Sequence, residues 1–265
     1  MARANRHFIP AYIWHITHRC HKKEFLLKFG KDRKRWLTWL HQAKKRFGLC
    51  VLNYMVTSNH IHLLVKDTVD GAIPKSIQLI AGRTGQEFNI RKKRKGAFWE
   101  DRYHATAIDT DQHLRQCMIY INLNMVRAGV VSHPSEWVFS GYHEILKPPR
   151  RYRLIDREEL MKSLGLDSSS DLSGIYQKWI DAELQKSKHR EKKWSESIAV
   201  GRVGFVNHFR ERSGHTVKGR NIIGSGETVE LREHQSPYSA VFDPKNAPLR
   251  PKNMYCWNEF DEISI

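Results

Sequence analysis

Apolar positions along the first 130 residues recur with two different periods, which predicts strands and helices in turn. Four segments rich in β-branched and aromatic residues predict strands: "AYIWHITHRC" (11–20), "LCVLNYMVTS" (49–58), "HIHLLVKD" (60–67) and "AFWEDRYHATAID" (97–109). A tight turn near Ser58 and Asn59 joins the second strand to the third, because these residue types favour turns.

Three segments have apolar residues at helical spacing. In residues 31–48, four of them share one helix face: Trp36, Leu40, Ala43 and Phe47. A second helix is predicted over residues 73–93. A third is predicted over residues 112–129, with Asp111 as its N-cap and Gly129 as its C-terminal stop.

This order of elements predicts the fold class. Strand, helix, strand, strand, helix, strand and a further helix follow the split βαβ, ferredoxin-like plan. We therefore expect an α+β protein: an antiparallel sheet with helices on one face, followed by a mainly α-helical C-terminal region. The other face of the sheet is expected to be free to meet a ligand.

The pattern changes after Pro148 and Pro149, which predicts two domains, residues 1–148 and residues 149–265. The second is a basic extension with helices predicted over 175–194 and 197–214. From residue 235 onward, four prolines discourage regular structure and predict a proline-rich tail.

The formal net charge of +17 at pH 7 is the strongest indication of what kind of partner the protein binds. Such an excess favours a polyanionic partner, of which nucleic acid is the commonest, although lysines also serve solubility alone. A membrane partner is not expected, because the basic run "RKKRK" (91–95) ends at Gly96 rather than continuing as an amphipathic helix. Scattered cysteines, short apolar runs and no recognisable secretory signal lead us to expect a cytoplasmic protein.

Two histidines in the third predicted strand are the first candidate site. Side chains alternate along a strand, so His60 and His62 share one face while Ile61 and Leu63 point to the other. Two neutral imidazoles at this spacing can share a divalent ion. The alternative explanation is coincidence, because a chain with 15 histidines is expected to contain such a pair, separated by one residue, by chance.

Beside its apolar stripe, the third predicted helix carries a polar one. Tyr120 and Asn124 lie about one turn apart, and Arg127 follows on the same side. A phenol, a carboxamide and a guanidinium can act as nucleophile, metal ligand and phosphate clamp. The same pattern fits a second interpretation. In it, Tyr120 is an ordinary boundary residue with its hydroxyl in water, and Arg127 is part of a structural ion pair.

Two motifs resemble a known family: "SNHIHLLV" (58–65) and "YINLNMVRAGVV" (120–131) are similar to those of the REP-associated tyrosine transposases, which are single-tyrosine HUH transposases. "YIWHITHRC" and "FWEDRYHATAI" also match the pattern, and the resemblance covers roughly residues 5–145. The family usually has a proline where this chain has Met125, so we expect the third helix to continue smoothly through that position.

The resemblance implies a metal-dependent endonuclease and strand transferase that cleaves single-stranded DNA. Tyr120 would be the nucleophile and would form a covalent 5′-phosphotyrosine. His60, His62 and Asn124 would hold Mg²⁺ or Mn²⁺, although imidazoles suit softer ions than Mg²⁺. The sequence identifies no base for the phenol.

The resemblance also implies a hairpin-forming DNA partner and leaves monomer and homodimer open. The predicted DNA contacts are cations that follow phosphates and aromatic rings that stack on bases: Arg91, Lys92, Lys93, Arg94, Lys95, Trp99, Tyr103 and Arg127. Phe98 is expected to pack at the edge of the core. The basic C-terminal helices are either a second DNA contact or a solvated surface.

Two other readings stay open. One is a domesticated nucleic-acid-binding protein that keeps the fold without the chemistry. The other is an RNA-binding regulator on the same type of sheet, although the aromatic pattern usual for such a sheet is missing.

Overall fold

A seven-stranded sheet forms the centre of the computed structural model, which describes residues 8–186, 191–217, 219–224 and 226–233. The strands in chain order are β1 (Ile13–Arg19), β2 (Cys50–Val56), β3 (His60–Lys66), β4 (His104–Ile108), β5 (Ala199–Gly201), β6 (Arg220–Ile223) and β7 (Val229–Glu233). Across the sheet their order is β2-β3-β1-β4-β5-β7-β6, and all neighbours are antiparallel except β4 and β5.

The helices in chain order are α1 (Gly30–Phe47), α2 (Ala72–Lys92), α3 (Gln112–Asn122), α4 (Asn124–Arg127), α5 (Tyr142–Leu146), α6 (Arg157–Ser163), α7 (Leu172–Leu184), α8 (Lys193–Glu196) and α9 (Val203–Ser213). The predicted α+β class and the element order of the first 130 residues are confirmed. Across the described ranges, no helix combines the length and the apolar composition needed to cross a bilayer.

Strand pairing decides which side chains share a face of the sheet. Thr17 of β1 lies opposite His62 of β3 and also opposite His104 of β4, and His15 lies opposite Thr106. Directly opposed residues point to the same side. We call this side the histidine face.

The other face carries the main apolar core. There Ile16 and Ile61 meet Trp36 from α1 and Ile77 and Ile80 from α2. The helical spacing in α1 and the alternation in β3 both place these residues inward, because each pattern puts its apolar positions on one side. Gly48 ends α1 in a left-handed conformation with φ of 68°, which glycine adopts without a steric penalty.

Helices cover the histidine face as well, so the expectation that helices would occupy one face only was wrong. Helix α3 packs there, where the Asn53 side chain donates to the backbone carbonyl of Met118 over 3.5 Å. The physical reason is that this face is only partly polar. Met55 and Leu64 are fully buried on it, and the apolar stripe of α3 shields them from water.

The third predicted helix does not continue smoothly through Met125. It is divided into α3 and α4 at Leu123, whose φ of −84° and ψ of 3° lie outside the α-helical range. Asp111 stands at the N-cap position, but its side chain makes no capping hydrogen bond. The turn after α4 reaches Gly129, which has a φ of 68°.

The C-terminal region supplies strands as well as helices. Residues 197–214, predicted as one helix, form β5 and α9, and β5 extends the sheet beyond β4 by parallel pairing of Ala199 with Ala107. The described residues belong to one compact unit. The predicted boundary at residue 148 therefore lies inside that unit and stays a hypothesis about separate folding. The proline-rich tail lies outside the described residues.

A carboxylate links the first part of the chain to the C-terminal strands. Asp109, buried after β4, accepts hydrogen bonds from the Arg202 backbone at 3.1 Å and from its guanidinium at 2.8 and 2.9 Å. Burial alone raises the pKa of Asp109, but the hydrogen bonds from Arg202 outweigh burial, and the pKa lies below its ordinary value. The stabilisation is therefore complete above the unfolded-state pKa and is lost as the pH falls through the folded-state pKa.

We predict that Asp109→Asn lowers the free energy of unfolding by about 2 kcal/mol at pH 7, because charged hydrogen bonds contribute more than neutral ones. Urea denaturation measures the change, and limited proteolysis should show earlier cleavage in residues 199–213. The control is Glu211→Gln, which removes an exposed carboxylate from α9. Equal stabilities for the two variants would contradict the role given to Asp109.

Candidate functional site

A cleft of about 780 Å³ opens on the histidine face, beside the end of β1 and the starts of β3 and β4. His60, His62, Tyr120, Asn124 and Arg127 all line it. The structure thus brings together the predicted nucleophile, the predicted metal ligands and the predicted phosphate clamp, although α3 begins 46 residues after β3 ends.

His15 is fully buried in β1, and its neighbours decide which ring nitrogen carries the proton. Its Nδ1 lies 2.7 Å from the backbone carbonyl oxygen of Trp194, which only accepts, so Nδ1 is the donor. Burial lowers the pKa of His15 to about 3, and the ring is therefore neutral at physiological pH. Nε2 of His15 is consequently an acceptor, and Nδ1 of His62, 2.9 Å away, supplies the hydrogen.

The neighbours of His60 likewise decide which of its two ring nitrogens carries the proton. The Asn59 amide nitrogen donates to the backbone carbonyl of Lys23 over 3.2 Å, which turns Oδ1 of Asn59 toward Nδ1 of His60 at 2.7 Å. Nδ1 of a neutral His60 therefore carries the proton. In the neutral rings, Nε2 of His60 and Nε2 of His62 are then the unprotonated nitrogens, and they lie 3.1 Å apart.

Two unprotonated nitrogens at this distance favour a cation between them. Imidazole nitrogens bind divalent ions at about 2.0–2.1 Å, so two neighbouring ligands of one ion lie about 3 Å apart. The separation of 3.1 Å between His60 and His62 agrees with this value. The residues present therefore fit a divalent ion, and the buried His15 holds His62 in the required tautomer.

Asn124 completes this group. Its amide nitrogen lies 3.1 Å from Nε2 of His62, and a half-turn of the carboxamide would present Oδ1 there instead. Among the described residues, no three His, Cys, Asp or Glu side chains are placed to hold a metal. A ligand set of His60, His62 and Asn124 has no negative charge, so phosphate oxygens from a substrate would strengthen ion binding.

Tyr120 forms the wall of the cleft and is only 5% exposed. Its ring centroid lies 6.0 Å from that of His62, 6.3 Å from that of His15 and 6.2 Å from that of Trp194. A second cavity of about 670 Å³, between α3 and the C-terminal region, lies on its other side. The tyrosine is therefore next to the histidines and also packed against the C-terminal region.

The guanidinium of Arg127 packs against the ring of Tyr120. Its guanidinium carbon lies 4.2 Å from the centre of the Tyr120 ring, and Nη2 donates to the Tyr120 backbone carbonyl. Burial lowers the pKa of Arg127 from its ordinary value, but an arginine stays protonated in proteins. Arg127 thus places a positive charge against the phenol ring and at the edge of both cavities.

The basic run lies at the C-terminal end of α2 and does not line the cleft. Arg91 forms an ion pair with Asp32, and Arg94 donates to the backbone carbonyl of Ala97 over 2.9 Å. Lys92 lies over the ring of Phe29 at 5.3 Å. Lys93 and Lys95 are exposed. DNA binding by these five residues stays a prediction, and it concerns a surface separate from the cleft.

The aromatic residues that follow the basic run are largely engaged within the protein. Phe98 is buried in the core, as expected. Trp99 stacks on His18 at 4.1 Å and donates from its indole nitrogen to the Ala81 carbonyl over 3.0 Å. Tyr103 is half-buried, with its ring 6.2 Å from that of His18. None of the three rings is fully open to solvent, which limits base stacking there.

Sequence reasoning missed two parts of the site. His15 could have been placed on the histidine face by the period of β1, had the register between β1 and β3 been known. Trp194 was not singled out, because it lies at the end of a basic segment predicted as a helix, far from the motifs. The cleft also carries three cations that were not predicted to be part of it: Arg19, Lys23 and Arg102.

Comparisons with known proteins agree with the sequence motifs. The family described as IS200-like transposase matches residues 9–124. One similar solved structure is of the REP-associated tyrosine transposase bound to a REP hairpin, with 20% identity, a TM-score of 0.46, and coverage of 55% of this chain and 85% of that chain. A Deinococcus radiodurans R1 protein described as a transposase has 14% identity, a TM-score of 0.33, and coverage of 49% and 98%. No curated protein matches.

We predict that His15→Phe lowers the affinity for Mn²⁺ by about 10–100-fold, because loss of the partner of a ligating histidine has that size of effect. Isothermal titration calorimetry measures the affinity. The matched control is Thr106→Val, which removes a buried 2.6 Å hydrogen bond to the Ser197 carbonyl on the same face and leaves the rings of His15, His60 and His62 unchanged. Equal affinities in the two variants would show that His15 does not orient His62.

Proposed function

We propose that this chain cleaves and rejoins single-stranded DNA through Tyr120, in keeping with the match of residues 9–124 to the family described as IS200-like transposase. The observation that carries the proposal is the pair of Nε2 atoms of His60 and His62, 3.1 Å apart, in the cleft that Tyr120 also lines. A nucleophile and a cation site in one cleft are what phosphodiester cleavage requires.

In the proposed reaction, the phenolate oxygen of Tyr120 attacks the phosphorus of a phosphodiester. A new bond forms between the tyrosine oxygen and phosphorus while the bond from phosphorus to the 3′ oxygen breaks. The 3′ oxygen leaves and takes up a proton, which gives a free 3′-OH and a 5′-phosphotyrosine. Attack by a 3′-OH on this intermediate reverses the step and joins two strands, because the phosphotyrosine conserves the energy of the bond.

The residues around the phenol have separate parts in this proposal. Arg127 holds its positive charge against the Tyr120 ring, at the edge of the cleft where a phosphate would lie. His60, His62 and Asn124 would hold Mg²⁺ or Mn²⁺. Such an ion neutralises charge on the phosphate oxygens in the transition state.

For the substrate, we propose hairpin-forming DNA with single-stranded flanks. The support comes from the net charge of +17 and from Arg19, Lys23 and Arg102 at the cleft, since cations that follow a phosphate backbone provide most of the affinity for nucleic acid. The two sequence motifs resemble those of the REP-associated branch. A cytoplasmic location and action as a monomer or a homodimer belong to the same proposal.

The alternative function is DNA binding without chemistry. One observation favours it: Tyr120 is almost fully buried, packed against the Trp194 ring of the C-terminal region. A phenol in that position reaches a phosphate only if its surroundings move. Adduct formation decides between the two functions.

We predict that wild-type protein forms a covalent adduct with labelled hairpin DNA in the presence of Mn²⁺, and that Tyr120→Phe forms none, because the variant lacks the attacking oxygen. Denaturing gel electrophoresis measures the adduct. The control is Tyr142→Phe, a buried tyrosine outside the cleft. An adduct of equal yield in Tyr120→Phe would assign the nucleophile to another residue.

We further predict that His60→Ala lowers the rate of cleavage at least about a hundredfold, because a bound ion stabilises the transition state by several kcal/mol. DNA affinity, measured by fluorescence anisotropy, should stay nearly unchanged. His143→Ala removes an exposed histidine from α5 and is the control. Loss of DNA affinity together with a lowered melting temperature in His60→Ala would indicate a structural role instead.

A further inference from the structure

Two phenylalanines between β1 and α1 are unusually open to solvent for their size. Phe25 is 66% exposed and Phe29 is 50% exposed. Near them, Ile90 is 78% exposed and lines a shallow groove of about 460 Å³ with Leu27 and Phe88. Exposed apolar side chains that cluster in this way usually mark a binding surface.

Two lysine side chains lie over the Phe29 ring, and a third lysine is joined to Phe25 through the backbone. The ammonium groups of Lys92 and Lys31 lie 5.3 and 6.0 Å from the centre of the Phe29 ring, and the backbone nitrogen of Lys28 donates to the Phe25 carbonyl over 3.0 Å. We call Phe25, Phe29, Lys28, Lys31 and Lys92 the phenylalanine–lysine patch.

The carboxylates near the patch are neutralised by arginines rather than by its lysines. Asp32 pairs with Arg91. Glu24 lies 3.6 Å from Arg94, and Glu87 pairs with Arg35. Within the described residues, Lys28, Lys31 and Lys92 form no ion pair with a carboxylate. The patch therefore presents positive charge together with aromatic surface, a combination that fits a polyanion with flat apolar groups.

The chain itself connects the patch to the cleft. Lys23 lines the cleft, and its carbonyl is held by Asn59 beside His60. Glu24 follows and reaches Arg94 of the basic run, and Phe25 is the next residue. The patch therefore begins two residues along the chain from Lys23, which lines the cleft.

We propose that the phenylalanine–lysine patch binds unpaired nucleotides of DNA that flank the cleavage site. The lysines neutralise phosphates, and the two phenyl rings stack on bases. Trp99 and Tyr103 are largely engaged within the protein, so Phe25 and Phe29 supply the open aromatic surface beside the basic run. This inference rests on the proposed function, because the flank is defined by the cleavage site.

The first test compares two labelled oligonucleotides by fluorescence anisotropy, using the full chain. One carries single-stranded flanks on both sides of the hairpin, and the other lacks them. Phe25→Ala and Phe29→Ala should each weaken binding of the flanked oligonucleotide roughly tenfold, the size of effect usual for loss of one stacked base, and leave the trimmed one unchanged. The control is Tyr152→Ala, which removes a 77% exposed ring beside His41 in the C-terminal half of α1.

The second test uses salt. Combined replacement of Lys28, Lys31 and Lys92 by glutamine should reduce the slope of log K against log salt by about 2 for the flanked oligonucleotide, since each lost phosphate contact on a single strand removes about 0.7. The control replaces three exposed lysines elsewhere, Lys45, Lys75 and Lys147. An equal reduction by both triple variants would overturn the assignment of the patch.

Two further measurements separate this inference from its alternatives. Unchanged affinity in the phenylalanine variants, with a changed mass in analytical ultracentrifugation, would make the patch a self-association surface and overturn the proposal. A Tyr120-dependent adduct whose yield responds to the flank equally in wild type and in Phe29→Ala would also overturn it, while leaving the proposed function intact. Flank binding that depends on Phe25 and Phe29 without any adduct would support the patch and reject the proposed chemistry.

Discussion

A buried, neutral imidazole is the constraint on which the geometry of the site depends. His15 has one hydrogen to donate, and the Trp194 carbonyl is the acceptor that receives it. The opposite tautomer would leave that carbonyl unpaired, which costs about 1–3 kcal/mol for a buried group. It would also reverse the hydrogen bond to His62, whose Nε2 would then carry a hydrogen toward His60. A single buried hydrogen bond thus determines whether two imidazoles present lone pairs or a proton to the cleft.

The sheet supports this arrangement because its two faces have different chemistry. One face packs Ile16 and Ile61 under α1 and α2 and provides most of the hydrophobic stabilisation. The histidine face combines apolar residues with imidazoles, whose buried nitrogens need defined partners. Those partners come from α3 and from the C-terminal region, which cover that face. The same packing that satisfies the polar groups also buries Tyr120.

The periodic parts of the chain could be predicted from sequence, whereas long-range pairing could not. The spacing of Trp36 and Leu40 predicted α1, and the alternation around Ile61 placed two histidines on one face. Strand β5 has only three residues, too few for a pattern to emerge within a longer apolar stretch. The strand register that places His15 beside His62 cannot be derived from the local composition of either strand. The charge of the basic run predicted a class of partner. It did not predict that the arginines of the run pair with carboxylates while its lysines remain exposed, because those contacts depend on the fold.

The hydrogen bond between His15 and Trp194 joins residues that are 179 positions apart in the chain. During synthesis the β1 strand emerges long before its partner, and a ribosome adding about 5–20 residues per second needs on the order of ten seconds or more to span that distance. Until then nothing fixes the tautomer of the early imidazole. A nascent or truncated chain that lacks the later segment would therefore carry both motifs and still have an unassembled centre.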